Sequence, residues 1–238
     1  MGTSKGYLPP TGHLWADTKR AVTAMDRNNY SSSSIDKALS NFSKANSSND
    51  SSGKANSVIG ASGAKILNFA GLVGSIGLNP ALDQVGLSHL RGNDPQTIFE
   101  GLTDYFSEGT NSFQEAIANQ AMQEHMQEIM GSVRSAEELE EVFSKMEADT
   151  FVRDYLIKYI ETSFFANFAE KIHSMCDSIT ETIKMQDRIK DFIRVKISEN
   201  FKSDRLMDID WKGREGRQYI KEKCVEVWGI FEQWGELN

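Results

Sequence analysis

Cysteine is scarce. The two in 238 residues, Cys176 and Cys224, stand far apart on helical apolar faces. That excludes a disulfide framework and predicts buried free thiols in a cytosolic protein. Basic charge is short as well: 26 Lys and Arg against 34 Asp and Glu leave a net charge of −8. Phosphate backbones are bound by clustered cations, so direct nucleic-acid binding is not expected. Large apolar residues are thin overall, with a mean hydropathy of −0.45. The longest apolar stretch, Ile66 to Leu78, is broken by Asn68 and glycines. It is too short for a bilayer, so no membrane span is expected. No charged segment followed by an apolar run opens the sequence, and Gly6 stands where an N-myristoylation signal needs Ser or Thr. The expected location is cytoplasmic.

Signatures of chemistry are also missing. None of the four histidines, His13, His89, His125 and His173, belongs to an H-E-x-x-H pattern, and no paired E-x-x-H supports a di-iron bundle. His125, beside Glu124 and three residues before Glu128, makes half a metal site and reads as part of a solvated polar face. His173 and Cys176 lie three residues apart without a second ligand pair for zinc. Glu137 to Glu141 is a contiguous acidic run, which reads as a solvated helix face rather than an opposed acid/base pair. Gly60 and Gly63 precede no Lys-Ser/Thr pair, so the segment is not a phosphate loop. Neither a catalytic residue, a metal site nor a cofactor is expected, and the chain reads as a non-enzyme.

Helical grammar is plentiful. Residues 13–27 predict a short helix with Trp15, Val22 and Met25 near one face. The Ser/Asn-rich stretch after it, through residue 57, lacks large apolar side chains apart from a weak helical island at Ile35 to Phe42. Such composition predicts a flexible linker or mobile loop. Residues 56–78 are Gly/Ala-rich and apolar, which predicts a central helix whose small residues let another backbone come close. Asp94-Pro95 is an N-cap followed by proline, and Ser135-Ala136-Glu137-Glu138 is a capping box. Between them a helix near 111–130 should stop at Gly131.

From Val152 an apolar residue recurs every fourth position through Ile172, and Cys176, Ile179 and Ile183 continue the stripe. A phase slip at Met185-Gln186-Asp187 predicts two consecutive helices or one kinked helix. A loop at 208–213 and a last helix with Ile220, Cys224, Val227, Phe231 and Trp234 complete the chain. With no convincing period-2 strand, the fold expected is mostly α. It is a multi-helix bundle with an extended tail over 1–12, a short helix and flexible Ser/Asn-rich linker over 13–57, and a helical domain over 58–238.

What remains for function is the start, Met1-Gly2-Thr3-Ser4-Lys5-Gly6-Tyr7-Leu8-Pro9-Pro10-Thr11-Gly12. It has little material for a core and suits presentation to another protein. Near the other end, Arg214, Arg217, Lys221 and Lys223 form a small basic cluster after Trp211. The tryptophans Trp211, Trp228 and Trp234 fit a core or an interface equally well.

Met1-Gly2-Thr3-Ser4 with its Gly/Pro stretch resembles the start of the QatB family, a component of the Qat bacterial anti-phage defence system. Gly86 to Gly92, Asp94 to Leu102 and Trp211 to Arg217 are similar to that family too. The resemblance implies neighbours: a QueC-like enzyme of the deazapurine-forming type, a P-loop ATPase and a TatD-like nuclease. It implies that Gly2, exposed by removal of Met1, is the acceptor of a 7-deazaguanine-type modification. Thr3, Ser4, Gly6, Tyr7, Pro9, Pro10 and Gly12 would then thread into the partner's cleft, with Trp15, Trp211, Arg214 and Arg217 as further partner contacts. The alternative is a structural adaptor bridging the ATPase and other components, its N-terminus unmodified.

Overall fold

A computed structural model describes residues 11–48, 50–131, 133–202 and 209–234, without the side chains of Asp50, Ser51 and Trp234. Ten α-helices and one 3-10 turn make up its elements, with no strand among the described residues. They are α1 (His13–Arg27), α2 (Ser32–Ser47), α3 (Asp50–Ile76), α4 (Leu78–Gln84), α5 (Pro95–Phe106), α6 (Phe113–Met130), α7 (Ala136–Ser144), α8 (Ala148–His173), α9 (Ile179–Asn200) and α10 (Arg214–Trp234).

Helix starts follow their caps. Asp94 Oδ1 accepts from Thr97 N at 3.1 Å, with Pro95 as the first helical residue of α5. Ser112, Ser135 and Ser178 accept from the amides of Glu115, Glu138 and Glu181. Each of these glutamates reaches back to an amide ahead of its cap, at Asn111, Arg134 and Asp177. All three are variants of the capping box, with the glutamate's bond shifted one residue back to hold the chain that enters the helix. Gly131 ends α6 as expected.

The α3 helix is the central element, packing against α6, α7 and α10. By length and composition, Ser52–Ile76 also passes as a membrane span, because helix formation extends the apolar stretch well beyond Ile66–Leu78. Its Ile59, Ile66, Phe69 and Val73 are instead buried in the protein core. The glycines do what small residues allow: a Cβ on Gly60 would lie 2.5 Å from Arg217 O, and one on Gly63 would lie 2.8 Å from Ile220 Cδ1. The first turns of α10 therefore rest directly on the α3 backbone.

The expected flexible linker is corrected by α2 and the first turns of α3. Ser and Asn are weak helix formers, but here their short side chains face other helices. Ser43 Oγ donates to Trp228 O at 2.9 Å, Ser47 Oγ to Glu232 Oε1 at 2.7 Å, and Cys224 Sγ to Asn56 Oδ1 at 3.3 Å. Phe42, the largest side chain in α2, stands edge-on to Trp15, Phe164, Phe168 and Trp228, with ring centroids 5.5–5.8 Å apart. Tertiary contact overrides weak propensity. The division at residue 57 falls inside α3 and separates nothing.

Two further expectations are corrected. The break in the long apolar stripe falls between His173 and Ile179, where Ser178 caps α9, and not at 185–187, which are helical. Ile179 and Ile183 are accordingly exposed, at 72% and 52%. His125 is not on a solvated face. It is buried, stacked on Tyr155 at 5.8 Å with 14° between planes, and tilted on Phe151.

Candidate functional site: a basic aromatic cleft at the start of α10

Two regions were expected to meet partners, and they fare differently. Gly2, Thr3, Ser4, Gly6, Tyr7, Pro9 and Pro10 lie outside the described residues. Gly12 is exposed at φ +125°, a backbone conformation that suits glycine, and it immediately precedes α1. Trp15 is corrected from partner contact to core. It is 6% exposed and packs on Phe42 and Phe168, which anchors α1.

At the other region, Trp228 is core, edge-on to Tyr159 and Phe42. Trp211 is half-buried, its ring edge-on to Tyr219 at 6.0 Å and 84°. Arg214 and Arg217 are exposed, whereas Lys223 turns inward to Glu226 at 2.8 Å and over the Tyr219 ring. The basic cluster read from the sequence therefore divides, leaving its outward half next to Trp211.

Asp210 builds this corner. Its Oδ1 accepts from Lys212 N at 3.0 Å, and its carbonyl accepts from the amides of Gly213 and Gly216, both at 3.2 Å. A Cβ on Gly213 would meet Asp210 Oδ2 at 2.6 Å, and one on Gly216 would meet Trp211 Cα at 2.9 Å. Position 216 thus requires glycine, because the chain folds tightly back on the Trp211 backbone as it enters α10, whereas at Gly213 the atom met is the tip of the Asp210 side chain. Asp210 is spent on the turn. Asp208, where the expected loop begins, lies outside the described residues.

Beside this corner is a cleft of about 290 Å³. Its floor is α3, through Lys65, Asn68 and Leu72. Gln84 and Val85 at the end of α4, Tyr105 near the end of α5, and Trp211, Lys212 and Arg217 around the start of α10 complete the lining. Lys65 Nζ is held by Glu108 Oε1 at 2.8 Å and by Tyr105 O at 3.1 Å, and it lies 5.4 Å from the Tyr105 ring centre. Sequence reading found Trp211 and Arg217 but missed Lys65, Asn68, Tyr105 and Lys212. No short motif joins α3, α5 and the α10 corner, and only helix packing brings them together.

Elsewhere the strongly buried titratable groups are engaged in packing. Burial drops His125 to a pKa of about 4. Burial pushes the Cys224 thiol and the Tyr155 and Tyr159 phenols up. Glu161, beneath Lys158, is also raised, chiefly by desolvation. Among the described residues no group of three or more His, Cys, Asp or Glu is placed to hold a metal ion.

No curated protein and no solved structure matches the chain. The family model described as Qat anti-phage system associated protein QatB matches residues 48–231. That span contains the Gly86–Gly92, Asp94–Leu102 and Trp211–Arg217 segments, and it begins after Met1–Ser4. It runs from the α3 entrance almost to the end of α10 and includes every residue of the cleft. The chain belongs to the QatB family, and with it to the components of the Qat anti-phage system.

Proposed function

We propose that this protein is a non-enzymatic, cytoplasmic component of the Qat complex that binds a QueC-like enzyme and offers it the α-amine of Gly2. In that reaction the partner activates a 7-deazaguanine-type carboxylate as its adenylate. The neutral amine attacks the acyl carbon, an amide bond forms, AMP leaves, and the amine gives up a proton. An α-amine titrates near pH 8, so a usable neutral fraction exists at cellular pH. The side chain of Gly2 favours removal of Met1 and leaves the nitrogen unhindered.

The observation that carries the reading is how the tail joins the body. Trp15, Val22 and Met25 fasten α1 into the core, while Gly12 and His13 at its start are exposed. The body is thus fastened from Trp15 onward, and its described start, at Gly12 and His13, faces solvent. Ordering a tail in a partner's channel costs binding energy, which the body must supply. Arg214, Arg217 and the Trp211 edge are the proposed contacts there. The P-loop ATPase and TatD-like nuclease of the system are further proposed partners.

The test is intact-mass spectrometry after co-expression with the QueC-like enzyme. A mass gain mapped to Gly2 is expected. An unmodified chain, or a gain mapped elsewhere, refutes the acceptor role. The adaptor reading then stands if defence survives deletion of residues 1–12.

A further inference from the structure

We infer that the cleft at the start of α10 binds a mononucleotide. The inference stands on the cleft alone and does not depend on the fate of Gly2. Among the described residues, three cations, Lys65, Lys212 and Arg217, line the cleft, and no carboxylate does. In a chain of net charge −8 this is a local reversal of sign, which draws an anion to this spot and not to the surface at large. Glu108 offsets Lys65 in part, but the pair also fixes the ammonium over the Tyr105 ring. Lys212 and Arg217 are exposed, and the Arg217 guanidinium suits phosphate oxygens by its planar fork.

Charge alone would describe a phosphate site. The remaining lining residues ask for more. Trp211 and Tyr105 supply aromatic surface to the cleft, and a flat heteroaromatic ring packs well on such surface. Asn68 and Gln84 carry side-chain amides, each with two N–H donors and one carbonyl acceptor, which match the polar edge of a base. At about 290 Å³ the cleft lies at the small end of ligand pockets. It has room for one base with its ribose phosphate and not for a strand, and the overall negative charge opposes a polyanion.

The corner is also built to hold its shape. Gly213 and Gly216 allow the close turn on Asp210, and Gly60 seats the carbonyl of Arg217 on α3. The Trp211–Arg217 wall of the cleft is therefore set by backbone contact, the kind of preorganisation that lowers the cost of binding.

Isothermal titration of the full chain tests the inference, with ADP, GDP, adenosine, pyrophosphate and a single-stranded oligonucleotide as probes. Saturable binding of ADP or GDP is expected, at least tenfold tighter than adenosine, pyrophosphate or the oligonucleotide. Lys212→Glu and Arg217→Glu, at exposed positions that leave folding intact, should each weaken it at least tenfold, and Trp211→Leu should do the same. Circular dichroism checks that each variant is folded, and the two charge reversals decide the matter if Trp211→Leu is not. Three results overturn the inference: no saturation by ADP or GDP up to millimolar concentration, pyrophosphate or the oligonucleotide binding as tightly as they do, or affinity unchanged in both charge reversals. None of these bears on the mass of the N-terminus, so the two readings fail separately.

Discussion

Gly60 lies directly beneath the carbonyl oxygen of Arg217, so close that a Cβ at position 60 would come within 2.5 Å of it. This contact joins the central helix to the first turn of the last one and sets one wall of the cleft. Gly60→Ala should cost about 1–3 kcal/mol, because backbone must move to admit the methyl group. Gly71, in the same helix, has nothing within 4 Å of its Cβ position. Gly71→Ala should stabilise by up to about 1 kcal/mol. Urea unfolding of the two variants reads the contrast. Equal effects would remove the close approach as the reason for glycine at 60.

Phe42 tests whether the Ser/Asn-rich region belongs to the core. It is fully buried among Trp15, Phe164, Phe168 and Trp228. Phe42→Ala should cost about 3–5 kcal/mol. A loss below 1 kcal/mol in denaturant unfolding would return α2 to the status of a dispensable linker.

His125 gives a pH dependence of defined sign. Burial lowers its pKa from 6.5 to about 4. Between those values the unfolded chain takes up a proton that the folded chain refuses. The contribution is therefore complete above pH 6.5 and is lost as pH falls toward 4, by something of the order of 3 kcal/mol. Glu161, raised by burial, works the other way, gaining relative stability as pH falls. His125→Phe should flatten the acid limb of a stability–pH curve. An unchanged limb would show that other groups carry it.

The two thiols should separate under a maleimide reagent. Cys224 is fully buried, its thiol raised by desolvation and donating to Asn56. Cys176 is partly exposed in the α8–α9 turn, 3.9 Å from Tyr30 Oη. One equivalent should label the native protein, at Cys176, and two the denatured protein. Labelling of Cys224 at the same rate would contradict its burial.

Truncation separates tail from body. Removing residues 1–12 should abolish the proposed modification and phage defence with little change in melting temperature. Removing residues 1–27 also takes away Trp15, Val22 and Met25 from the core and should destabilise the protein by several kcal/mol. Retained defence in the shorter deletion would favour the adaptor role.

The sequence by itself determined the helix class, several helix starts and the close-packed central helix. Those features rest on local chemistry: a side-chain oxygen at Asp94, Ser112 or Ser135 reaches amides three residues on, and apolar spacing defines a face. It misread residues 28–57 because Ser43, Ser47 and Asn56 look like linker until α10 is there to receive or supply their hydrogen bonds. It misplaced the α8–α9 break because Cys176 and Ile179 keep the apolar spacing across it, and only the cap at Ser178 shows the stop. Tertiary structure alone decided that Trp15 and His125 go inward, and that Lys65, Tyr105 and Trp211 share one cleft. Burial and convergence depend on which helices meet, and those meetings join residues too far apart along the chain for local pattern to register.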